Sequence, residues 1–225
     1  MVQVHREYLN AGSMAVITNT LTMNSAFIRS HGLNIDVTAV NIEGAKLARE
    51  AVQGKAYVLG NLSSTGRLLE PYGDFSEKAA LDSLVEQAGL LRDGGVDGFI
   101  IETIIDLREA ILAVKACKEV STLPVLACIA FDMERNGGRT VMGNSAAECA
   151  YALQEEGVSA LGANCGSIDP GRWRAWLERC ELRPACLLWP KQMRASLALR
   201  TTGQFSIWAL RPSLSACCAA GKREP

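Results

Sequence analysis

The sequence predicts an α/β fold built from repeated βα units, an incomplete (β/α)8 TIM-type barrel of about five units. A helical pattern over residues 84–91 is followed by two glycines and by an apolar run over 96–101 that ends in Glu102-Thr103. The same order recurs later, where a helical pattern over 145–156 precedes Gly157 and an apolar run ending in Asn164-Cys165. Two copies of this order are typical of a parallel sheet with helical crossovers. The functional residues of such a sheet lie where its strands end.

The other elements are predicted from the spacing of their apolar residues. Helical spacing, such as that of Ala45, Ala48 and Val52, predicts helices over 1–10, 24–30, 42–52, 75–91 and 107–119. Short apolar runs predict strands over 14–17, 56–59 and 123–131. Pro124 is compatible with the last of these because the first residue of a strand need not donate a hydrogen bond. With the two strands described above, the predicted strands are fewer than the eight of a closed barrel.

Composition narrows the classes of function. The chain has 225 residues, of which 48% are hydrophobic, enough for a sizeable core. A formal net charge of -1 gives no electrostatic reason to expect nucleic acid or an anionic membrane as a partner. The chain shows neither a leader nor an apolar run of the roughly 20 residues that cross a bilayer, so we expect a cytoplasmic protein. Without a secretion signal, the eight cysteines are expected to be reduced, and Cys117, Cys128 and Cys149 to serve as packing residues.

Three polar segments follow predicted strands. Glu102 comes directly after an apolar strand, which predicts a carboxylate at the mouth of the barrel and not on a solvated helix face. Thr18-Asn19-Thr20 follows the first strand and is compatible with either an ordinary turn or a second part of the same site. The glycine- and serine-rich stretch over 60–66 is long enough to hold a phosphate, but it matches no known nucleotide-binding spacing.

The composition changes after Gly171. All four tryptophans lie in residues 172–225, together with ten lysines and arginines against three acidic residues. The βα pattern does not continue there. We therefore predict a partial barrel over 1–171 and an irregular basic tail over 172–225. Two interpretations of the tail are open, an accessory segment that caps the barrel and a segment produced by a shift of the reading frame.

Seven short motifs occur in order along the chain. They are His5-Arg6-Glu7-Tyr8, Ala11-Gly12, Thr18-Asn19-Thr20, Ser64-Thr65-Gly66, Gly95-Val96-Asp97, Ile101-Glu102-Thr103 and Gly162-Ala163-Asn164-Cys165. Over roughly residues 3–171, their order and spacing resemble the homocysteine S-methyltransferase family. That family includes the homocysteine-binding module of cobalamin-dependent methionine synthase and betaine-homocysteine methyltransferase.

The resemblance implies a (β/α)8 barrel whose mouth holds zinc through three cysteines, the first of which is Cys165. It also implies that Glu102 holds the amino group of homocysteine, and that Asn164, Thr18 and Asn19 form part of the pocket wall. Zinc in such a site binds the substrate sulfur as a thiolate. An unassisted thiol, with a pKa near 8.5, is mostly protonated at neutral pH. The implied reaction is methyl transfer to homocysteine, giving methionine, from a methylcorrinoid supplied by a partner protein or from a small sulfonium or quaternary-amine donor.

The sequence departs from the family at both ends. The family begins with a strand and a glycine-rich substrate turn, and this sequence starts after that point. The family's late Gly-Gly-Cys-Cys-Gly-Thr turn, which supplies the other two zinc ligands, is absent. The adjacent pair Cys217-Cys218 is the candidate replacement, although it lacks the family's flanking glycines.

Three functions are therefore considered. The first is zinc-dependent methyl transfer to homocysteine. The second is a catalytically inert remnant, or an amino-acid-binding protein that keeps Glu102 and Asn164 without the metal. The third is a different barrel enzyme whose phosphate-bearing ligand binds over residues 60–66.

Overall fold

The computed structural model describes residues 1–132 and 138–166, which contain alternating helices and parallel strands. The helices are α1 (Val2–Asn10), α2 (Ser25–Ser30), α3 (Val37–Val52), α4 (Glu77–Asp93), α5 (Leu107–Val120) and α6 (Ala146–Glu155). The strands are β1 (Ala15–Ile17), β2 (Tyr57–Leu62), β3 (Gly98–Ile104), β4 (Val125–Ile129) and β5 (Ala160–Ala163). Every predicted helix and strand up to residue 166 is present. The predicted tail over 172–225 lies outside the described residues.

The five strands form one sheet in the order β1-β2-β3-β4-β5, and every neighbouring pair is parallel. Spatial order follows chain order, and at least one helix separates each strand from the next. This is the arrangement of consecutive units in a (β/α)8 barrel, so the predicted fold class is confirmed. The carboxyl ends of all five strands lie at the same edge of the sheet.

The two faces of the sheet have separate apolar cores. One face packs against the helices, and its large buried cluster joins strand residues such as Phe99 to helix residues such as Leu84. The other face, which we call the inner face, carries a smaller buried cluster made only of strand residues. Its buried members are Leu59, Ile100, Leu126 and Cys128. Because side chains alternate along a strand, Asn61 and Glu102, two residues after Leu59 and Ile100, also belong to the inner face.

Helix starts are fixed by capping side chains. Asn24, Asp36 and Ser76 each accept a hydrogen bond from a backbone N–H in the first turn of the following helix. Ser145 forms a capping box with Glu148 at the start of α6. The cap at Asp36 explains why α3 begins at Val37 and not at the predicted residue 42, since the first turn is stabilised by the cap and not by an apolar face.

Strand β2 is longer than predicted and runs through Asn61 to Leu62. Its backbone pairs with β3 through Leu62, opposite Ile101. The glycine- and serine-rich composition suggested a loop from residue 60, but the pairing with β3 extends the strand by three residues beyond its predicted end. Asn61 is thereby placed on the sheet, with its side chain at the polar end of the inner face.

Cys117, Cys128 and Cys149 are buried free thiols, as predicted. In the described ranges, none of the helices combines the length and the apolar character that a membrane crossing requires.

Candidate active site

Glu102 lies at the polar end of the inner face, where the sequence predicted it. Its side chain is 8% exposed. One carboxylate oxygen, Oε2, accepts a hydrogen bond of 2.8 Å from Asn61 Nδ2, and the other, Oε1, accepts a longer one of 3.4 Å from Asn164 Nδ2. Burial raises the pKa of Glu102, while the hydrogen bond from Asn61 opposes the shift. Among the described residues, the charge of this carboxylate is therefore partly compensated by two amides and not by a cation.

Asn164 joins the end of β5 to the end of β3. Its Oδ1 accepts from the backbone N–H of Thr103 at 2.9 Å, and its Nδ2 donates to Thr103 Oγ1 at 3.0 Å. Since a backbone N–H can only donate, the orientation of the Asn164 amide is fixed. Its NH2 group is therefore the end that faces both Glu102 and the Thr103 hydroxyl.

Cys165 completes this set of contacts. Its sulfur lies 3.3 Å from Thr103 Oγ1. Because Thr103 Oγ1 already accepts from Asn164, its own hydrogen is available for the Cys165 sulfur. A continuous series of hydrogen bonds thus runs from Asn61 through Glu102, Asn164 and Thr103 to Cys165, the cysteine that is exposed among those the structure describes.

The backbone at these strand ends is unusual. Thr103 and Cys165 have φ angles of 60° and 54°, and Gly166 follows with 70°. Left-handed backbone is uncommon for residues other than glycine and is a true outlier for a β-branched side chain. Each such residue costs about 1–3 kcal/mol and persists where its surroundings hold it. At Thr103 the two hydrogen bonds with Asn164 provide that support.

Thr18 and Asn19 take different positions. Thr18 is 1% exposed, and its Oγ1 accepts from the backbone N–H of Asn61 at 2.8 Å and contacts Thr20 Oγ1 at 2.7 Å. Thr20 Oγ1 in turn donates to the backbone oxygen of Asn61 at 2.9 Å. Asn19, between the two threonines, is exposed. The buried threonines therefore act on Glu102 indirectly. They hold the backbone of Asn61, whose side chain donates to Glu102.

Asn61 and Thr103 are site residues that the sequence analysis did not single out. Asn61 lies in a stretch whose composition is typical of a loop. Its position two residues after Leu59 is the signal that could have identified it, because residues two apart on a strand share a face. Thr103 was part of a recognised Glu-Thr motif, but its contact with Cys165 depends on a left-handed backbone that no residue pattern indicates.

The stretch over 60–66 offers little to a phosphate group. The backbone N–H and the hydroxyl of Thr65 both donate to Glu109 Oε1, at 2.7 and 2.6 Å, and the N–H of Gly66 donates to Ser64 Oγ. A phosphate site needs free N–H groups, and here a buried carboxylate already uses one of them. This geometry argues against the phosphate hypothesis.

The described residues do not complete a metal site. Within residues 1–132 and 138–166, no group of three or more histidine, cysteine, aspartate or glutamate side chains is placed to hold a metal ion. Cys165 contributes one exposed thiol at the strand ends. Cys217 and Cys218, the other predicted ligands, lie outside the described residues.

The family model of homocysteine S-methyltransferase matches residues 1–202 of this chain. The match extends beyond Gly171, so part of the predicted tail is included in it, and the domain boundary stays a prediction. The chain is 27% identical over 175 residues to methionine synthase of Mycobacterium tuberculosis, covering 73% of this chain and 14% of that protein. It is 31% identical over 173 residues to betaine–homocysteine S-methyltransferase 1 of Xenopus laevis, covering 75% of this chain and 41% of that protein.

The fold has a solved counterpart. The structure resembles the metallated form of the homocysteine methyltransferase MmuM from Escherichia coli with a TM-score of 0.63 and 21% identity, covering 79% of this chain and 66% of that one. The chain spans well under half the length of the two curated relatives. The resemblance inferred from the motifs is confirmed, and the chain belongs to the homocysteine S-methyltransferase family.

Proposed function

We propose that this chain takes part in methyl transfer to the thiol of homocysteine, with Glu102 holding the substrate's amino group and Cys165 lying on the sulfur side of the site. The observation that carries the proposal is the hydrogen-bonded series that joins Glu102, Asn164, Thr103 and Cys165 at the ends of β3 and β5. It brings a buried carboxylate and an exposed thiol to one edge of the sheet. These two groups match the two ends of an amino acid that carries a thiol.

Glu102 binds the substrate by charge. An ammonium group has three donors and no acceptor, and a carboxylate removed from water is a strong partner for it. Because the described residues place two amides and no cation beside the carboxylate of Glu102, its charge is available to the substrate. Asn164 holds the carboxylate in place while its other end is anchored to the backbone of Thr103.

The reaction forms a bond between the homocysteine sulfur and the methyl carbon as the bond between that carbon and its donor breaks. The thiol proton must leave first, and the donor departs with the electron pair of the broken bond. Zinc, where bound, supplies the Lewis acidity that keeps the sulfur as a thiolate near neutral pH. In this chain Cys165 is the proposed first ligand, with Cys217 and Cys218 as the proposed others.

The methyl donor is a small sulfonium or quaternary-amine compound, or a methylcorrinoid delivered by a partner protein. The similarity to methionine synthase supports the corrinoid, and the similarity to betaine–homocysteine S-methyltransferase supports a small cationic donor. Methionine formation from homocysteine with each donor class decides between them.

The test is methionine formation by the purified chain, compared with Glu102→Ala and Cys165→Ser. Both variants are expected to lose activity, because one removes the ammonium partner and the other a thiol at the reacting end. Glu86→Ala is the control, since Glu86 is an exposed glutamate on α4. Full activity in both site variants would show that the site is elsewhere.

The second candidate is an amino-acid-binding protein, or an inert member of the family, that uses the same carboxylate without zinc. It is favoured by the single thiol that the described residues bring to the strand ends. Zinc stoichiometry of the wild type, Cys165→Ser and the double variant Cys217→Ser/Cys218→Ser separates the two. Near one zinc per wild-type chain, lost in both variants, supports the enzyme. A zinc-free wild type that still binds homocysteine supports the second candidate.

A further inference from the structure

Asn61 carries a buried acceptor for which residues 1–132 and 138–166 supply no donor. The residue is 6% exposed, and its Oδ1 lacks a hydrogen-bond partner within these ranges. The other polar groups of the residue are all paired, since the backbone N–H donates to Thr18, the backbone oxygen accepts from Thr20, and Nδ2 donates to Glu102. A buried acceptor without a donor costs about 1–3 kcal/mol. Such an atom in an otherwise fully bonded residue indicates a place for a ligand's donor.

The position of this oxygen is fixed from two directions. Thr18 and Thr20 clamp the backbone of Asn61 on both its N–H and its C=O. The ionised carboxylate of Glu102 only accepts, so it selects the NH2 end of the amide and leaves the oxygen as the free end. The unpartnered oxygen therefore lies beside the carboxylate, on the same inner face.

We infer that Asn61 Oδ1 is a second acceptor for the ammonium group of the substrate, beside the carboxylate of Glu102. This inference rests on the proposed function and adds to it a residue that determines substrate specificity. An ammonium ion buried against one carboxylate leaves some of its three donors unpaired, which is costly away from water. The free amide oxygen supplies the missing acceptor. The substrate's ammonium in turn satisfies the one unpaired atom of Asn61.

A specificity follows from this arrangement. A thiol that carries an ammonium group satisfies both Glu102 and Asn61, whereas a deaminated thiol leaves the charge of Glu102 without a cation and Asn61 Oδ1 without a donor. Sites built around buried polar groups reject ligands that lack the matching group strongly. The chain should therefore distinguish homocysteine from 4-mercaptobutyrate, its deaminated analogue, through both residues and not through Glu102 alone.

The experiment is calorimetric titration of homocysteine and of 4-mercaptobutyrate into the wild type, Asn61→Leu, Glu102→Gln and the double variant. Leucine has nearly the shape of asparagine and removes both amide functions. We expect Asn61→Leu to weaken homocysteine binding roughly tenfold and to change 4-mercaptobutyrate binding little. In the Glu102→Gln background, the same substitution is expected to cause a further but smaller loss. The two residues are hydrogen-bonded and their effects are coupled, but a direct contact of Asn61 with the ammonium does not depend wholly on the carboxylate.

Four results would overturn the inference. A loss that disappears in the Glu102→Gln background would show that Asn61 acts only by holding Glu102. Equal losses for both ligands would show a general disturbance of the fold. If the wild type binds no homocysteine, the proposed function and the inference are both overturned. If the wild type binds homocysteine and Asn61→Leu binds it equally well, only the inference is overturned. Asn10→Leu, at the exposed end of α1, is the matched control, and Asn61→Ala repeats the test if Asn61→Leu does not fold.

Discussion

The hydroxyl oxygen of Thr103 lies 3.3 Å from the sulfur of Cys165, and both residues have left-handed backbone. Neither conformation is favourable for its residue type. The two residues lie at the carboxyl ends of β3 and β5, which β4 separates in the sheet. Asn164 precedes Cys165 and bonds both the backbone and the side chain of Thr103. The left-handed backbone thus places the Thr103 hydroxyl against the Cys165 sulfur, a contact that extended strand ends would not make.

The first prediction concerns this hydroxyl. Thr103→Val keeps the shape of the side chain and removes the hydroxyl that contacts the Cys165 sulfur. Zinc affinity should therefore fall about 10–100-fold, as when other groups that orient metal ligands are removed. Thr103→Ser restores the hydroxyl and should remain near the wild type. Zinc titration with a competing chelator measures both. Thr38→Val, the same change at an exposed position of α3, controls for the substitution itself. Unchanged affinity in Thr103→Val would mean that the hydroxyl does not orient the sulfur.

The second prediction concerns the charge of Glu102. Burial raises its pKa above the ordinary value of 4.5, so the carboxyl is protonated over a wider acidic range than an exposed glutamate. Homocysteine binding should therefore strengthen as the pH rises through this range, because only the ionised form pairs with the ammonium. Titration calorimetry between mildly acidic and neutral pH measures the dependence. Glu102→Gln should bind weakly at every pH in that range, and a pH profile unaltered by this change would assign the dependence to another group.

The third prediction concerns Glu109, a second buried carboxylate, which is 2% exposed. Burial raises its pKa above 4.5 despite two hydrogen bonds from Thr65. The folded state then holds its proton more tightly than the unfolded state, so this group makes the free energy of unfolding fall as the pH rises from 4.5 through the raised pKa. Glu109→Gln keeps the acceptor for Thr65 and removes the charge. Its urea midpoints should fall less with pH than those of the wild type.

Glu86→Gln is the control for that series, because it removes an exposed glutamate from the neighbouring helix α4. Its midpoints should follow the wild type at every pH. If Glu109→Gln follows the wild type as well, the buried carboxylate does not contribute to the pH dependence of stability.

The sequence was sufficient to predict where the candidate site residues at the ends of β3 and β5 lie. Glu102, Asn164 and Cys165 were identified because an apolar run delivers each of them to the same edge of a parallel sheet, and the structure places them there. Asn61 required the strand register, since β2 continues through a stretch whose glycine and serine content is typical of a loop. Glu109 lies in the first turn of α5, where an acidic residue is already explained by the helix dipole. Its burial depends on how α5 packs against the segment after β2, which local sequence does not reveal.

The last prediction concerns the turn that follows Cys165. Gly166 has a φ of 70°, and a Cβ atom there would lie 2.3 Å from the backbone oxygen of Phe131. Gly12 also has a positive φ, of 97°, but a Cβ atom there would meet nothing within 4 Å. Both alanine variants introduce an unfavourable backbone conformation costing about 1–2 kcal/mol, and Gly166→Ala adds a clash with backbone.

Gly166→Ala should therefore lower the free energy of unfolding by about 1–3 kcal/mol more than Gly12→Ala, measured by urea denaturation. The displaced turn should also move Cys165 away from Thr103, so zinc affinity should fall in Gly166→Ala and not in Gly12→Ala. Equal losses of stability in the two variants would show that the turn after β5 relaxes away from Phe131. The close contact between these two strand ends would then play no part in positioning Cys165.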